Sequence, residues 1–419
     1  MSSEFEQKLE KYAEVILKVG LNLQPKQRLL IRGPAQSGIS FENAPLVRII
    51  AKKAYQMGAR LVDVVWGDEQ MMLIRYQYGN KRFLKEFPKW RIDASFDIIK
   101  AGDALLNITN PNPDLLKDVD MSLILRFQLY LLKHTEPFSK LISNFGSNWL
   151  IVSTPNKAWA DKIFPELPSD DRIPKLWEVV FKACRINEEN PILMWKNHIE
   201  SLFQRRNYLN QKQYKTLKLK APGTDLTIGL PKDHIWNGGS ETSLNGIDFA
   251  PNIPTEEIFT TPHKDRVNGV VMTTRPVAYE GQVIKQASLK FSNGRVVEVK
   301  AKSGEKALQA TMDVDEGARR LGEIALVPNS SPISKVGVLF YNILFDENAS
   351  NHIALGRGFK LSLKNGNSMT DEEFAAAGGN KSLIHIDFMI GSGEMDVDGI
   401  LEDGTIDPIM RKGEWAFEV

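Results

Sequence analysis

The chain contains six histidines: His134, His198, His234, His263, His352 and His385. Two of them stand among carboxylates. In SLIHIDFMIGS (382–392) a short strand-like run sets His385 and Asp387 two residues apart. On a strand such residues project from one face, while Ile384, Ile386 and Phe388 occupy the other. A histidine beside a carboxylate is a ready N,O ligand pair for a divalent ion. The alternative is a hydrogen-bonded His–Asp pair on a solvated face. In FYNILFDENASNHIALG (340–356) His352 follows a polar cluster of Asp346, Glu347, Asn348, Ser350 and Asn351, with apolar residues at both ends. So many polar groups in a buried run need partners. Metal binding or catalysis would supply them, and so would a helix cap.

Three further carboxylates attract attention. NIPTEEIFTTP (252–262) carries Glu256 and Glu257 between two prolines, as a rigid functional loop or an ordinary exposed one would. Glu323 lies in an apolar neighbourhood of Leu321, Ile324, Ala325, Leu326 and Val327. If it is buried it must be paired or metal-bound, because desolvating an unpaired carboxylate costs several kcal/mol. Taken together, Glu257, Glu323, His352, His385 and Asp387 form an N/O donor set. Its composition suits a pair of divalent ions ~3.5–4 Å apart that share a carboxylate.

The elements that must position these residues fall into two patterns. A first amphipathic helix carries the stripe Phe5, Leu9, Tyr12, Ile16 and Val19. Four short apolar strands at 28–33, 61–67, 104–109 and 149–154 follow, with helical text between them. That alternation predicts an α/β domain with a doubly wound, mostly parallel sheet. It has neither a Gly-x-Gly-x-x-Gly turn nor a Gly-Lys-Ser/Thr loop for phosphate. No convergent reactive set is visible at its strand ends, so it reads as a scaffold. Helical text continues through 174–184 and 191–204, and beyond Lys215 the pattern becomes period two. Segments 217–222, 225–230, 267–274, 287–301 and 335–343 read as strands, with a hairpin turn at 292–294. The expected organisation is an α/β scaffold domain over 1–204 and, over 205–419, an α+β domain rich in antiparallel strands that carries the metal site.

Bulk properties narrow the function classes. With 419 residues, two domains are expected. A net charge of +1, with Lys and Arg spread along the chain, argues against nucleic acid or an anionic membrane as partner. The start MSSEFEQKLEKYAEVILKVG lacks the marks of a secretory signal, and no apolar run approaches the ~18 residues of a membrane span. The single Cys184 excludes an intrachain disulfide and a Cys-based zinc site, and its apolar helical context predicts a buried, inert thiol. A reducing, cytoplasmic location is expected.

Several long motifs then appear together: GTDLTIGL, Trp236-Asn237-Gly238-Gly239, NIPTEEIFTTP, GARRLGEIALV, SPIS, FYNILFDENASNHIALG and SLIHIDFMIGS. In this order and spacing they resemble the thermophilic-type metalloaminopeptidases, the aminopeptidase T and aminopeptidase S group, nearly end to end. The resemblance implies a co-catalytic exopeptidase using two divalent ions per chain (zinc, cobalt or magnesium), with Glu257, Glu323, His352, His385 and Asp387 as ligands. It places Glu347 at the site as a ligand or general base, with Glu256 as the other candidate base. It also implies peptide substrates and a homodimer whose active sites face an enclosed space. One departure stands out. The family usually carries a Tyr seven residues after the first ligand histidine, where its hydroxyl can support the oxyanion, and here that position is Phe359. Tyr341, Tyr279 and Lys360 are possible substitute donors. Two other readings stay open: a metal-binding homologue without peptidase activity, and a two-metal hydrolase of another amide or ester.

Overall fold

A computed structural model describes residues 3–34, 37–279 and 282–419 of the chain. The chain divides into two compact units, Met1–Ile199 with Ser240–Pro254, and Glu200–Gly239 with Thr255–Val419. Among the described residues no helix is long and apolar enough to cross a membrane.

The first unit is built on five strands, β1 (Arg28–Arg32), β2 (Ile39–Ser40), β3 (Leu61–Gly67), β4 (Ala104–Thr109) and β5 (Trp149–Ser153). They lie in the order β2-β3-β1-β4-β5, and every pairing is parallel. Parallel neighbours need crossover connections. Helices Ala44–Gln56, Glu69–Tyr78, Lys89–Lys100 and Met121–Ser143 provide them. The order reverses at β1, because the chain runs from β1 to β3 on one side and then crosses to β4 on the other. The N-terminal stripe folds as the helix Ser3–Val15 followed by one wide turn over Ile16–Gly20, and Leu9, Tyr12, Ile16 and Val19 are buried. Cys184 is a buried free thiol.

The second unit is antiparallel. Its eight-stranded sheet contains Thr216–Ala221, Thr224–Gly229, Val267–Met272, Ser288–Ser292, Arg295–Lys300, Asp396–Ile400, Ile406–Arg411 and Glu414–Trp415. The turn at 292–294 forms as the sequence suggests. Asn293 and Gly294 both take positive φ (48° and 79°), the pair that a two-residue hairpin with right-handed twist demands. A four-stranded sheet in the order β6-β7-β8-β9 comprises β6 (Ile258–Thr260), β7 (Leu321–Leu326), β8 (His352–Gly356) and β9 (His385–Met389). One continuous apolar core joins the two sheets, with Leu217, Ile228, Val271 and Leu289 from the larger and Ile324, Ile353 and Phe388 from the smaller.

Segment 335–343 differs from its expected strand. It is a short 3-10 turn at Ser334–Val336 and then irregular backbone leading into the helical turn Ile343–Asp346. The reason is Asp346, whose buried carboxylate accepts the backbone N–H groups of Phe340 (2.7 Å) and Asn342 (3.1 Å). Those donors would otherwise serve a sheet ladder. The apolar alternation instead seats Phe340 against Phe345, with ring centroids 4.9 Å apart.

Candidate metal centre

The candidate site grows from the register of β7, β8 and β9. Glu323 lies opposite Ala354, and Ala354 opposite Asp387, while Gly356 pairs with His385 and His352 with Ala325 and Met389. Directly opposed residues share a face, and alternate residues on one strand do as well. Glu323, His352, His385 and Asp387 therefore meet on one side of the sheet. Ala354 and Gly356 are the small residues of the central strand that pair with Asp387 and His385.

Glu257 joins from the residue preceding β6. The Trp-Asn-Gly-Gly segment holds it there. Asn237 exchanges backbone hydrogen bonds with Phe259 (2.9 and 3.0 Å), and Gly238 lies so close that a Cβ would fall 2.3 Å from the Glu257 carbonyl oxygen. The sequence marked this motif without assigning it a role.

The donor atoms converge in two groups of three, Glu257–Glu323–His352 and Glu323–His385–Asp387. Glu323 is common to both. One of its oxygens is 3.7 Å from His352 Nε2 and the other 3.3 Å from His385 Nε2. His352 Nε2 also lies 3.2 Å from Glu257 Oε2, and His385 Nε2 lies 3.4 Å from Asp387 Oδ1. The opposite ring nitrogens face backbone carbonyls, His352 Nδ1 at 3.2 Å from Ser350 O and His385 Nδ1 at 2.7 Å from Arg357 O. An Nδ1–H donated to a carbonyl fixes ring orientation and aims the Nε2 lone pair at the site, as metal-ligating histidines require.

The remaining predicted residues lie around this core. Glu347 is half-buried after the helical turn Ile343–Asp346, and Asn348 Nδ2 donates to its Oε1 at 3.4 Å. Burial raises its carboxyl well above the usual range, and the charges of Glu257 and Asp387 add to the effect. Glu256 is buried, and its backbone N–H donates to Asn348 Oδ1 at 2.6 Å. Neither Glu256 nor Glu347 belongs to the two three-ligand groups. Asn348 also donates to Leu344 O, and Asn351 Oδ1 accepts from Val327 N at 2.7 Å. Much of the polar cluster before His352 is therefore bracing. Phe359 packs on His385, ring centroids 4.9 Å apart and tilted by 50°. Lys360 is engaged elsewhere, donating to Met369 O at 2.8 Å and pairing with Asp371 at 2.9 Å.

The electrostatics are those of a cation site. Glu257, Glu323, Asp387 and Glu347 bring four carboxyl groups against two imidazoles. Burial drives Glu257 upward and prevails over the hydrogen bond and charge of His352, with the charges of Glu323 and Asp387 adding smaller upward pushes. Burial also pushes Glu323 upward, but hydrogen bonds from His352 and His385 prevail and hold it at about 2. Both histidines are raised well above 6.5. Burial opposes this, but Glu257 and Glu323 on His352, and Asp387 and Glu323 on His385, overcome it. Glu257 Oε2 is buried and makes no hydrogen bond of acceptable geometry, despite its ion-pair distance from His352. A surplus of buried carboxylate, an orphaned oxygen and two aimed imidazoles fit divalent cations.

A prediction arises here. Metal needs neutral imidazole, whereas in the metal-free cluster the neighbouring carboxylates favour the protonated form of both histidines. Loading the site should therefore expel about two protons from the histidines, with any held by the raised carboxyls of Glu257 and Glu347 adding to the count, and log K should climb by about two or more per pH unit below the raised pKa values. Calorimetry in buffers of different ionisation enthalpy measures the count, and a value near zero would exclude the two histidines as ligands. The stability of the metal-free chain follows the same signs. The histidine contribution is complete below pH ~6.5 and fades as pH rises through the raised values, whereas the Glu323 contribution is present above ~4.5 and is lost as pH falls toward 2.

A buried carboxylate–imidazole cluster on an antiparallel sheet, in a chain that also carries a parallel-sheet unit, defines a protein able to hold a divalent metal. The chain belongs to the thermophilic metalloprotease family M29, whose model matches residues 5–415. Aminopeptidase 2 of Geobacillus stearothermophilus is 44% identical over 415 residues, 99% of either chain. Aminopeptidase AmpS of Bacillus subtilis is 41% identical over 413 residues, again 99% of each. The solved structure of wild-type AmpT from Thermus thermophilus matches with a TM-score of 0.92 at 40% identity, covering 99% of this chain and 100% of that one. A 2,5-dihydroxypyridine dioxygenase from Pseudomonas putida KT2440, with a TM-score of 0.54 at 12% identity, shares the fold alone.

Proposed function

We propose that this metal-dependent aminopeptidase removes N-terminal residues from peptides with two divalent ions that share Glu323. The observation that carries this reading is the placement of the two Glu323 oxygens, each turned to a different histidine and each within a separate group of three donors. Glu257 and His352 would complete one position, and His385 and Asp387 the other. Zinc, cobalt and magnesium all suit N/O donors. When bound, such a pair supplies Lewis acidity that polarises the scissile carbonyl and acidifies water.

The chain's own residues perform the rest. Glu347 has the character of a proton carrier, because burial and neighbouring carboxylates raise its affinity for a proton. A carboxylate whose affinity for a proton is raised can take the proton from water and return it to the leaving amine. Glu256, tied through its backbone to Asn348, is the second candidate for that role. Asn348 braces both, and the Ser350 and Arg357 carbonyls keep the imidazoles aimed. We assign residues 1–204 as scaffold and 205–419 as the catalytic domain. A cytoplasmic homodimer is the assembly that the family resemblance and the single buried cysteine support.

The test is hydrolysis of aminoacyl-p-nitroanilides and short peptides by metal-stripped protein, with zinc, cobalt or magnesium added back while bound metal is counted. Activity that saturates at one ion per chain would sink the two-ion reading. Light scattering settles the dimer.

Phe359 yields a further prediction. Its ring lies against His385 but presents no hydroxyl to a developing oxyanion. Removing an oxyanion donor costs ~10²–10³ in rate, so Phe359→Tyr should raise kcat, by up to about a hundredfold on that scale. An unchanged or lower kcat would mean that another group serves the oxyanion.

A further inference from the structure

Outside the metal centre, a second set of polar groups lacks partners, toward the C-terminal end of the parallel sheet, with Arg32 the last residue of its strand and Asn107 two residues short of the end of its own. Arg32 ends β1 and pairs in register with Asn107 of β4. In-register residues share a face. Phe138, Leu141 and Ile142 of the helix Met121–Ser143 pack on that face, against Leu30, Leu105 and Trp149. Arg32 Nε and Nη1 and Asn107 Oδ1 are all buried without a hydrogen-bond partner. The Arg32 guanidinium lies 5.1 Å from the centre of the Phe138 ring. A cation–π contact engages the charge of the guanidinium and uses none of its N–H donors. Among the described residues no carboxylate pairs with Arg32, and burial lowers its pKa to about 10.

Native structures rarely leave buried donors and acceptors unmet, and a cation and an acceptor orphaned side by side call for an explanation. The location has its own meaning. Strand order reverses between β1 and β4, and open α/β sheets take ligands outside the carboxyl ends of their strands at such a reversal. Orphaned donors on a cation next to an orphaned acceptor, one strand spacing away (~4.8 Å), match a molecule with an anionic acceptor and a donor a few ångströms apart. Asn252 Oδ1 is likewise orphaned, but Asn252 bridges to Ile151, a strand further along the row, outside the span of so small a group.

We propose that the switch point between β1 and β4 binds a free α-amino acid, with its carboxylate on Arg32 and its ammonium on Asn107 Oδ1. The argument rests on the orphaned atoms and the topology. The aminopeptidase reading adds that such a molecule is what the reaction releases, which would make this a product-sensing site remote in sequence from the metal ligands.

The test is calorimetric titration of full-length, metal-free protein with L-leucine, L-lysine and L-glutamate, so that no metal can chelate them. The controls are L-lactate (hydroxyl for ammonium), the corresponding amine without carboxylate, and inorganic phosphate. Saturable amino-acid binding is expected, reduced at least tenfold by Arg32→Leu and by Asn107→Leu. Both variants should keep the metal-loaded kcat/KM of the parent at low amino-acid concentration. In the absence of ligand Arg32→Leu should also show a higher Tm than the parent, because it removes a stranded buried charge. Arg32→Lys, which keeps the charge, serves if the leucine variant does not fold. Binding that survives both substitutions would place the ligand elsewhere and overturn the proposal. So would phosphate or lactate binding as tightly as the amino acids, which would reveal a plain anion site, or no heat from any amino acid up to ~10 mM, weaker than a millimolar site. The metal-dependent activity would stand in every one of those cases.

Discussion

Glu323→Gln should lower kcat/KM on an aminoacyl-p-nitroanilide by about a thousandfold or more. The substitution preserves shape and removes the one charge common to both donor groups. Lewis-acid stabilisation is worth several kcal/mol, and each 1.36 kcal/mol is about tenfold in rate. Loss of a shared ligand should therefore disable both ions together, whereas Asp387→Asn or Glu257→Gln should weaken one position first. The variant should still fold, because β7 is a fully buried strand whose ladder to β8 does not involve the side chain. Metal content and kinetics measured on the same sample separate the outcomes. Two tightly held ions with a loss below tenfold would remove Glu323 from the shared position. Loss of metal together with activity would support it.

Gly356→Ala should cost at least about 3 kcal/mol of stability. Gly356 has φ +105°, and a Cβ there would lie 2.2 Å from the Ile384 carbonyl oxygen and 2.8 Å from its carbon. A left-handed conformation alone costs an L-residue about 1–2 kcal/mol, and the backbone clash adds to it, because a packed neighbouring strand has little room to give. The consequence reaches the site, since Gly356 pairs directly with His385. Displacing β9 by about 1 Å moves His385 and Asp387 together, and misplacement of that size can cost ~10² in rate. Urea denaturation of the metal-free protein and kcat of the loaded enzyme measure the two effects. Native-like stability with native-like kcat would show that β8 and β9 yield where the structure says they cannot.

The two predictions depend on different kinds of knowledge. Glu323 was visible as a carboxylate in apolar text, and His385 with Asp387 as an i, i+2 pair, because burial and strand alternation are written locally in residue order. The same local signals placed the four apolar strands of the first unit and the hairpin at 292–294. They misread 335–343, where Asp346 draws in two backbone N–H groups and diverts an alternating run from the sheet. The excursion of Ser240–Pro254 into the first unit left no compositional mark, since it follows from contacts between distant segments.

By itself the sequence determined the classes of element, the donor residues and, through several ordered motifs, the resemblance to a metalloaminopeptidase family. The tertiary structure alone decided how those residues meet. That each Glu323 oxygen faces a different histidine follows from the register of three strands separated by tens of residues, as does the close approach of Gly356 to the strand that carries His385. The unmatched Arg32 and Asn107 are likewise ordinary residues until parallel pairing sets them side by side, with Arg32 against Phe138. Periodicity is a property of neighbours in the chain, whereas register and desolvation are set by neighbours in space, so the donor list could be read in advance and its geometry could not.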